Sequence, residues 1–288
     1  MTAVAPTAGP VFEARQSSVI RRLLRDPRAL TGTALALLVV GLAALGPLLA
    51  PYSPTEFVGA PFEPPGAAAP LGTDVLGRDV LSQLLTGGGG FLLQGLFATV
   101  LGVGLGAFIG MALGAASGRV GSFLLFLNDS VMVVPQILTV LVLVTAFGAT
   151  PVTLTVAVGL AQVAFTARLV RAATLRVVHE DYVLAARAVG FRGVRLMVGQ
   201  LLPNISGPVL VEFGVRLSVS FVVLASLSYL GFGGGGTEWG KMIHDNQGGI
   251  AIQPIATLAP VVSIAVFLIG MNLLRDGVAR AIAARSAR

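Results

Sequence analysis

Long apolar runs alternate with short polar segments along most of the chain. The runs fall at about residues 31–50, 91–117, 123–147, 152–170, 208–230 and 254–274. Each is near or above the roughly 20 residues a helix needs to cross the hydrocarbon core of a bilayer. A helix pairs its own backbone groups, so it is one of two structures that cross lipid without stranding polar atoms. The pattern predicts an all-α polytopic membrane protein with six transmembrane helices. Residues 1–30 form a polar tail, 31–50 the first span and 51–90 an external loop. Residues 91–275 form a five-helix domain, and 276–288 a second tail. In the external loop, Thr73 or Asp74 is placed to cap a short helix lying along the surface.

The polar segment from Ala172 to Gly207 is far longer than a hairpin between two spans requires. It reads as two short helices. Glu180 and Asp181 suit a helix N-terminus, where the backbone dipole favours negative charge. Gly190 suits a C-terminal stop, because glycine adopts the left-handed conformation freely, and Pro203 reads as a second stop. Ala185 and Ala186 leave a small surface against which another protein can pack. A helical pair held just outside a membrane has the shape of a docking element.

Composition supports the membrane reading. The chain is 55% apolar and 11% charged, whereas soluble domains carry about a quarter charged residues. It has no cysteine and only two histidines, His179 and His244, which removes disulfides, thiolate metal sites and a histidine metal centre. With the N-terminus inside, the inner segments hold sixteen of the nineteen basic residues. They include Arg15, Arg21, Arg22, Arg25 and Arg28 of the tail, Arg119, and the group from Arg168 to Arg195. The outer segments hold Arg78 and Lys241. Positive residues stay on the cytoplasmic side, so both termini and the 172–207 segment are expected in the cytoplasm.

Within the spans, Gly102, Gly106, Gly110, Gly114 and Gly118 recur every four residues, with Ala98 one step earlier. Such a stripe lets two helices approach closely in lipid. Glu212 and Arg216 are spaced as a helical ion pair, either structural or part of a gate. Asn128 and Asp129 are placed at the start of the third span, and Pro135 is expected to kink it. Gly235-Gly236-Thr237-Glu238-Trp239-Gly240-Lys241 matches most of a phosphate-binding loop, but Met242 stands where a hydroxyl should hold magnesium. It reads as an outer loop with Trp239 at the membrane interface, preceded by no strand and followed by no prompt helix. No hydrolytic triad, paired carboxylate or metal cluster is apparent, so the chain is not expected to be an enzyme or to bind a cofactor.

The polar segment resembles the EAA loop of permease subunits in binding-protein-dependent ABC importers. Ala185, Ala186, Gly190, Leu202 and Pro203 fall in register with it, and Leu184 occupies the position of its Glu. Three further stretches resemble the dipeptide/oligopeptide (and nickel) group, C-type subunit: Pro70-Leu71-Gly72-Thr73-Asp74 with Leu76 to Ser82, Ser226 to Gly233 with Trp239-Gly240, and Asn272 to Gly277. Leu224 stands where many members have Glu, and Arg275 replaces a usual Gly. The resemblance implies a type I importer permease fold whose cytoplasmic coupling loop meets an ATPase. It implies coupling contacts at Glu180, Ala185, Ala186, Arg187, Gly190, Arg192 and Pro203, with Arg195 adding a polar one. It further implies a second homologous permease, two ATPases that bind ATP and Mg, an extracytoplasmic binding protein and residence in the bacterial inner membrane. Peptide translocation by alternating access is the expected function. Nickel, haem or another solute is an alternative cargo, and a secondary transporter an alternative class.

Overall fold

The computed structural model describes residues 26–116, 118–233 and 238–286. The tail arginines before Asp26, Gly235 to Thr237 and Arg288 lie outside them. Ten α-helices are described: α1 (Pro27–Leu49), α2 (Val80–Ala115), α3 (Gly118–Met132), α4 (Gln136–Phe147), α5 (Pro151–Val177), α6 (Asp181–Ala188), α7 (Gly193–Leu196), α8 (Leu202–Leu227), α9 (Trp239–Asn246) and α10 (Ile255–Ser286).

The glycines set the helix directions. A Cβ added to Gly102 would meet the Gly159 carbonyl, and one on Gly110 the Ala167 carbonyl, so α2 and α5 run parallel. The connection between them, α3 and α4, must therefore return across the membrane. By the same reasoning α1 is antiparallel to α2, with Gly46 against Leu85 and Gly88 against Ala43, and α8 is antiparallel to α10, with Gly207 against Ile282 and Gly214 against Arg275. The chain thus crosses six times. Asp26 before α1 accepts two hydrogen bonds from Arg280 of α10, at 2.8 and 3.1 Å, so both ends of the bundle chain meet at one end of the molecule. The α6–α7 segment sits at that same end, because α5 leads into it.

Several expectations are corrected. The third crossing is not one helix. It breaks between Met132 and Gln136, and the halves are bent by 82°. Pro135 cannot continue the preceding helix and heads the next. Asn128 and Asp129 consequently lie near the end of α3, not at its start. The short surface helix at 73–90 does not form. Helix α2 begins at Val80, eleven residues before the predicted span, because the Asp79 carboxylate caps it by accepting from the Ser82 N–H at 2.8 Å. Gly118 starts α3 and so falls off the α2 stripe. Helix α10 runs to Ser286 in place of a tail beginning at 276.

Thr73 and Asp74 do something other than cap. The buried Asp74 carboxylate accepts from the backbone of Leu76 and Arg78, from the Arg78 guanidinium and from Gln83. The Thr73 hydroxyl bridges the backbones of Ala60 and Glu63. Together with Asn246 and Gln253, which bond the backbones of Val75 and Leu71, they weld residues 57–79 onto the end of the bundle far from α6. Helix α9 belongs to this cap and follows the glycine run directly, where no prompt helix was expected. Trp239 is buried, not interfacial. Its ring packs on Phe91 and its indole N–H donates to the Leu84 carbonyl at 2.8 Å.

Candidate functional site

At the α6 end, Val178 is buried and Glu180 is the residue before α6, with no side-chain capping bond. Asp181 adds charge to the first turn and Arg187 to the last, both in the favourable sense. The helix stops because Gly190 has φ +93°. With that turn the N–H of Phe191 reaches the Ala186 carbonyl at 2.9 Å. Arg192 precedes α7 in extended conformation, and the Arg195 guanidinium lies 4.4 Å from the Phe191 ring centre.

The second short helix is not free-standing. From α7 a wide turn at Met197–Leu201 leads straight into α8, so one helical run extends from Gly193 to Phe232. Pro203 is therefore not a stop. It occupies the first turn of α8, where a missing N–H is tolerated. The connection between α5 and α8 narrows to residues 178–201.

The sides of α6 differ from expectation as well. Ala186 faces inward, into a cluster with Ala107, Met111, Val170, Val183, Leu196 and Ile205. Of the alanine pair, Ala185 alone is exposed. Apolar side chains are exposed among the charges of this segment: Leu184 is 47% exposed, Val189 77%, Val194 57% and Val198 55%. Tyr182 joins them, its hydroxyl pushed above the ordinary pKa chiefly by burial and further by the Glu180 carboxylate. Arg187, Arg192 and Phe191 line a hollow in this segment, closed below by Ala115 at the end of α2. The structure thus leaves Glu180, Ala185, Gly190 and Arg192 exposed, Arg187 and Pro203 half-buried, and Ala186 buried. Sequence reasoning missed the exposed apolar residues. Their signal was four aliphatic side chains in a segment otherwise rich in charge.

The glycine stripe packs as spaced. An added Cβ would lie 2.7 Å from the Gly159 carbonyl at Gly102, 2.8 Å from that of Val163 at Gly106 and 2.6 Å from that of Ala167 at Gly110. At Gly114 it would meet the Thr174 Cβ at 2.6 Å. Against this α2–α5 pair, α8 is joined by polar contacts. The Ser220 hydroxyl pairs with that of Thr99 at 2.8 Å and accepts from Gln162 at 2.8 Å. All three side chains are buried, and no spacing in the sequence links them. A glutamine inside an apolar span was the available clue.

Glu212 and Arg216 form the expected pair at 2.6 Å, with the Glu212 side chain 4% exposed and the Arg216 guanidinium 5.2 Å from the Phe165 ring centre. At the other end Glu238, also buried, accepts from Gln94 at 2.7 Å and from Ser228 at 3.4 Å. Leu224, in the place of an acid in many relatives of the resembled group, is buried among apolar neighbours.

Residues 102–288 match the family model described as a binding-protein-dependent transport system inner membrane component. Residues 17–65 match a second model, the N-terminal transmembrane domain of oligopeptide transport permease C. The chain is 30% identical to the glutathione transport system permease protein GsiD of Pectobacterium atrosepticum, over 89% of this chain and 87% of that one. It is 30% identical to the di/tripeptide transport system permease protein DppC of Pseudomonas aeruginosa, over 95% and 94%. It is likewise 30% identical to the oligopeptide transport system permease protein OppC of Mycobacterium tuberculosis, over 96% and 98%. A bundle of six crossings matched over nearly its whole length places this chain in the family of binding-protein-dependent transport system inner membrane components.

Proposed function

We propose that this chain is a permease subunit that moves peptides into the cytoplasm, driven by ATP hydrolysis on partner subunits. The observation that carries it is the exposed α6–α7 face, which joins α5 to the continuous run into α8. A protein gripping that face holds a lever on two spans at once. The relatives act on di- and tripeptides, oligopeptides and glutathione, which supports a peptide cargo. The concentration of arginine at the α6 end supports its placement, with both termini, in the cytoplasm.

In this reading two ATPases, which bind ATP and Mg, dock on α6–α7 of this chain and of a second, homologous permease. Leu184, Ala185 and Val189 make close apolar contacts, and Glu180, Arg187, Arg192 and Arg195 supply polar ones. The welded cap of residues 57–79 and α9 faces the extracytoplasmic binding protein. Closure of the ATPases moves α6–α7, and the spans reorient to expose the path alternately to each side. Glu212–Arg216, at the inner part of α8, is placed to act as a gate.

The absence of cysteine from the chain gives a clean test. Val194→Cys should react with a membrane-impermeant maleimide in inverted vesicles and not in intact cells, and bound ATPase should protect it. Reaction in intact cells would overturn the orientation, and reaction undiminished by bound ATPase would overturn the docking role.

A further inference from the structure

A groove of about 460 Å³ opens on the outside of the bundle between α2, α3 and α5. Its walls are Leu105, Ile109, Leu124, Leu127, Leu160 and Ala164, with Asn128 at one edge. Asn128 spends its amide on the Ala164 carbonyl, at 3.2 Å, so the interior offers an occupant only apolar surface. The charged groups lie beyond it along α5. Leu160, Ala164, Arg168 and Arg171 recur on one stripe of α5, running from the groove towards the α6 end. Successive helical residues rise about 1.5 Å, so the arginines sit about 6 to 10 Å beyond Ala164.

Of the two arginines, only Arg168 has a countercharge in reach among the described residues. Arg168 is 61% exposed in its side chain and lies 3.7 Å from Asp129, beyond hydrogen-bond distance. Arg171 has a buried Nε with no hydrogen-bond partner. Burying such a donor unsatisfied is unfavourable, and an anion beside the same guanidinium offsets that through charge. We propose that the groove holds an acyl chain of an acidic phospholipid, whose phosphate lies between Arg168 and Arg171. The geometry is that of a lipid in its own leaflet, with the tail against leucines and the headgroup about half a hydrocarbon leaflet away, at the cationic end of the bundle. Which leaflet supplies the lipid follows from the orientation proposed above; the contact itself does not depend on it. A bound lipid would also cover the side of α3 that carries Leu124, Leu127 and Asn128.

The test uses the intact importer, purified with its partners. Phosphatidylglycerol with a photoactivatable acyl chain should crosslink to peptides holding residues 105–113, 124–131 and 160–164. Crosslinks spread evenly over other outward helix faces, such as that of Val142 and Phe147, would overturn the site, as would their absence from this groove because the partner permease covers it. Native mass spectrometry after exposure to equal amounts of phosphatidylglycerol and phosphatidylcholine should show at least fivefold preferential retention of the acidic lipid. The preference should fall to parity in Arg168→Gln/Arg171→Gln, and excess inorganic phosphate should leave it intact. Equal retention of both lipids by the native protein would refute the charge recognition.

Discussion

Gly110→Ala tests whether the α2–α5 pair depends on backbone contact. The added methyl carbon would lie 2.6 Å from the Ala167 carbonyl oxygen, 2.7 Å from the Val170 Cβ and 3.1 Å from the Ala167 Cα. Ordinary contact begins near 3.4 Å, so the helices must part by about 0.8 Å or bend. All three obstacles are main chain or β-carbon, and no rotamer change relieves them. Overpacking of this kind costs about 1–3 kcal/mol, offset by up to about 1 kcal/mol from the better helix propensity of alanine. Gly104 supplies the control. It is on the same helix, and a Cβ there meets nothing within 4 Å, so Gly104→Ala keeps only the favourable term. The two variants should differ by about 1–3 kcal/mol, a separation of several degrees in apparent melting temperature. The assay is thermal unfolding of the purified complex in detergent, with peptide uptake in vesicles in parallel. Coincident melting curves for Gly110→Ala and Gly104→Ala would refute the claim that this stripe is a packing face.

Three further outcomes follow from other contacts. Glu212→Gln leaves the Arg216 charge largely buried without its partner and should destabilise the permease by about 3–5 kcal/mol; Glu212→Met/Arg216→Met should recover most of that in melting experiments, and recovery of stability without recovery of uptake identifies a gate. Leu184→Ala removes an exposed side chain, so permease melting should not change while ATPase retention on a pull-down falls about tenfold, as loss of roughly 1–2 kcal/mol of apolar burial predicts. Unchanged retention would remove Leu184 from the docking face. The Asp26 carboxyl is held below its ordinary pKa, chiefly by the hydrogen bond from Arg280. A carboxyl lowered by folding stabilises above its unfolded pKa and loses that contribution as pH falls through the folded one. The coupling of Asp26→Asn with Arg280→Gln in a double-mutant cycle should thus be present at pH 7 and fade below the ordinary carboxylate range; a cycle that is additive at pH 7 counts against the link.

Apolar run length made the crossings legible, because it reports the solvent around a helix and not its neighbours. The four-residue glycine interval was legible for the same kind of reason: one face repeats at that spacing in any helix. Boundaries were read less well. The Asp79 cap lies in a polar stretch that looks like loop, so α2 was started at Phe91. The two sides of α6 were misjudged because Ala185 and Ala186 look alike in sequence, and only the fold of Gly190 and the approach of α2 turn one of them inward. The Thr99–Gln162–Ser220 contact joins three spans, and its one signal in the sequence is a glutamine inside an apolar run. The break at Met132–Gln136 exceeded the kink expected of Pro135, since a proline heading a new helix leaves the old one free to end.

The contrast between the two ways in which α2, α5 and α8 are joined has a mechanical consequence. Where main chains interlock, sliding one rod past the other must lift it over carbonyls, and the pair travels as a single body. Where a hydroxyl faces a hydroxyl and an amide, partners can be traded with little change in energy, and Gln162 retains a buried oxygen without a bond. The boundary of α8 is thus one at which a shift exchanges bonds instead of lifting carbonyls, with the Phe221 ring against Phe91 as its apolar bearing.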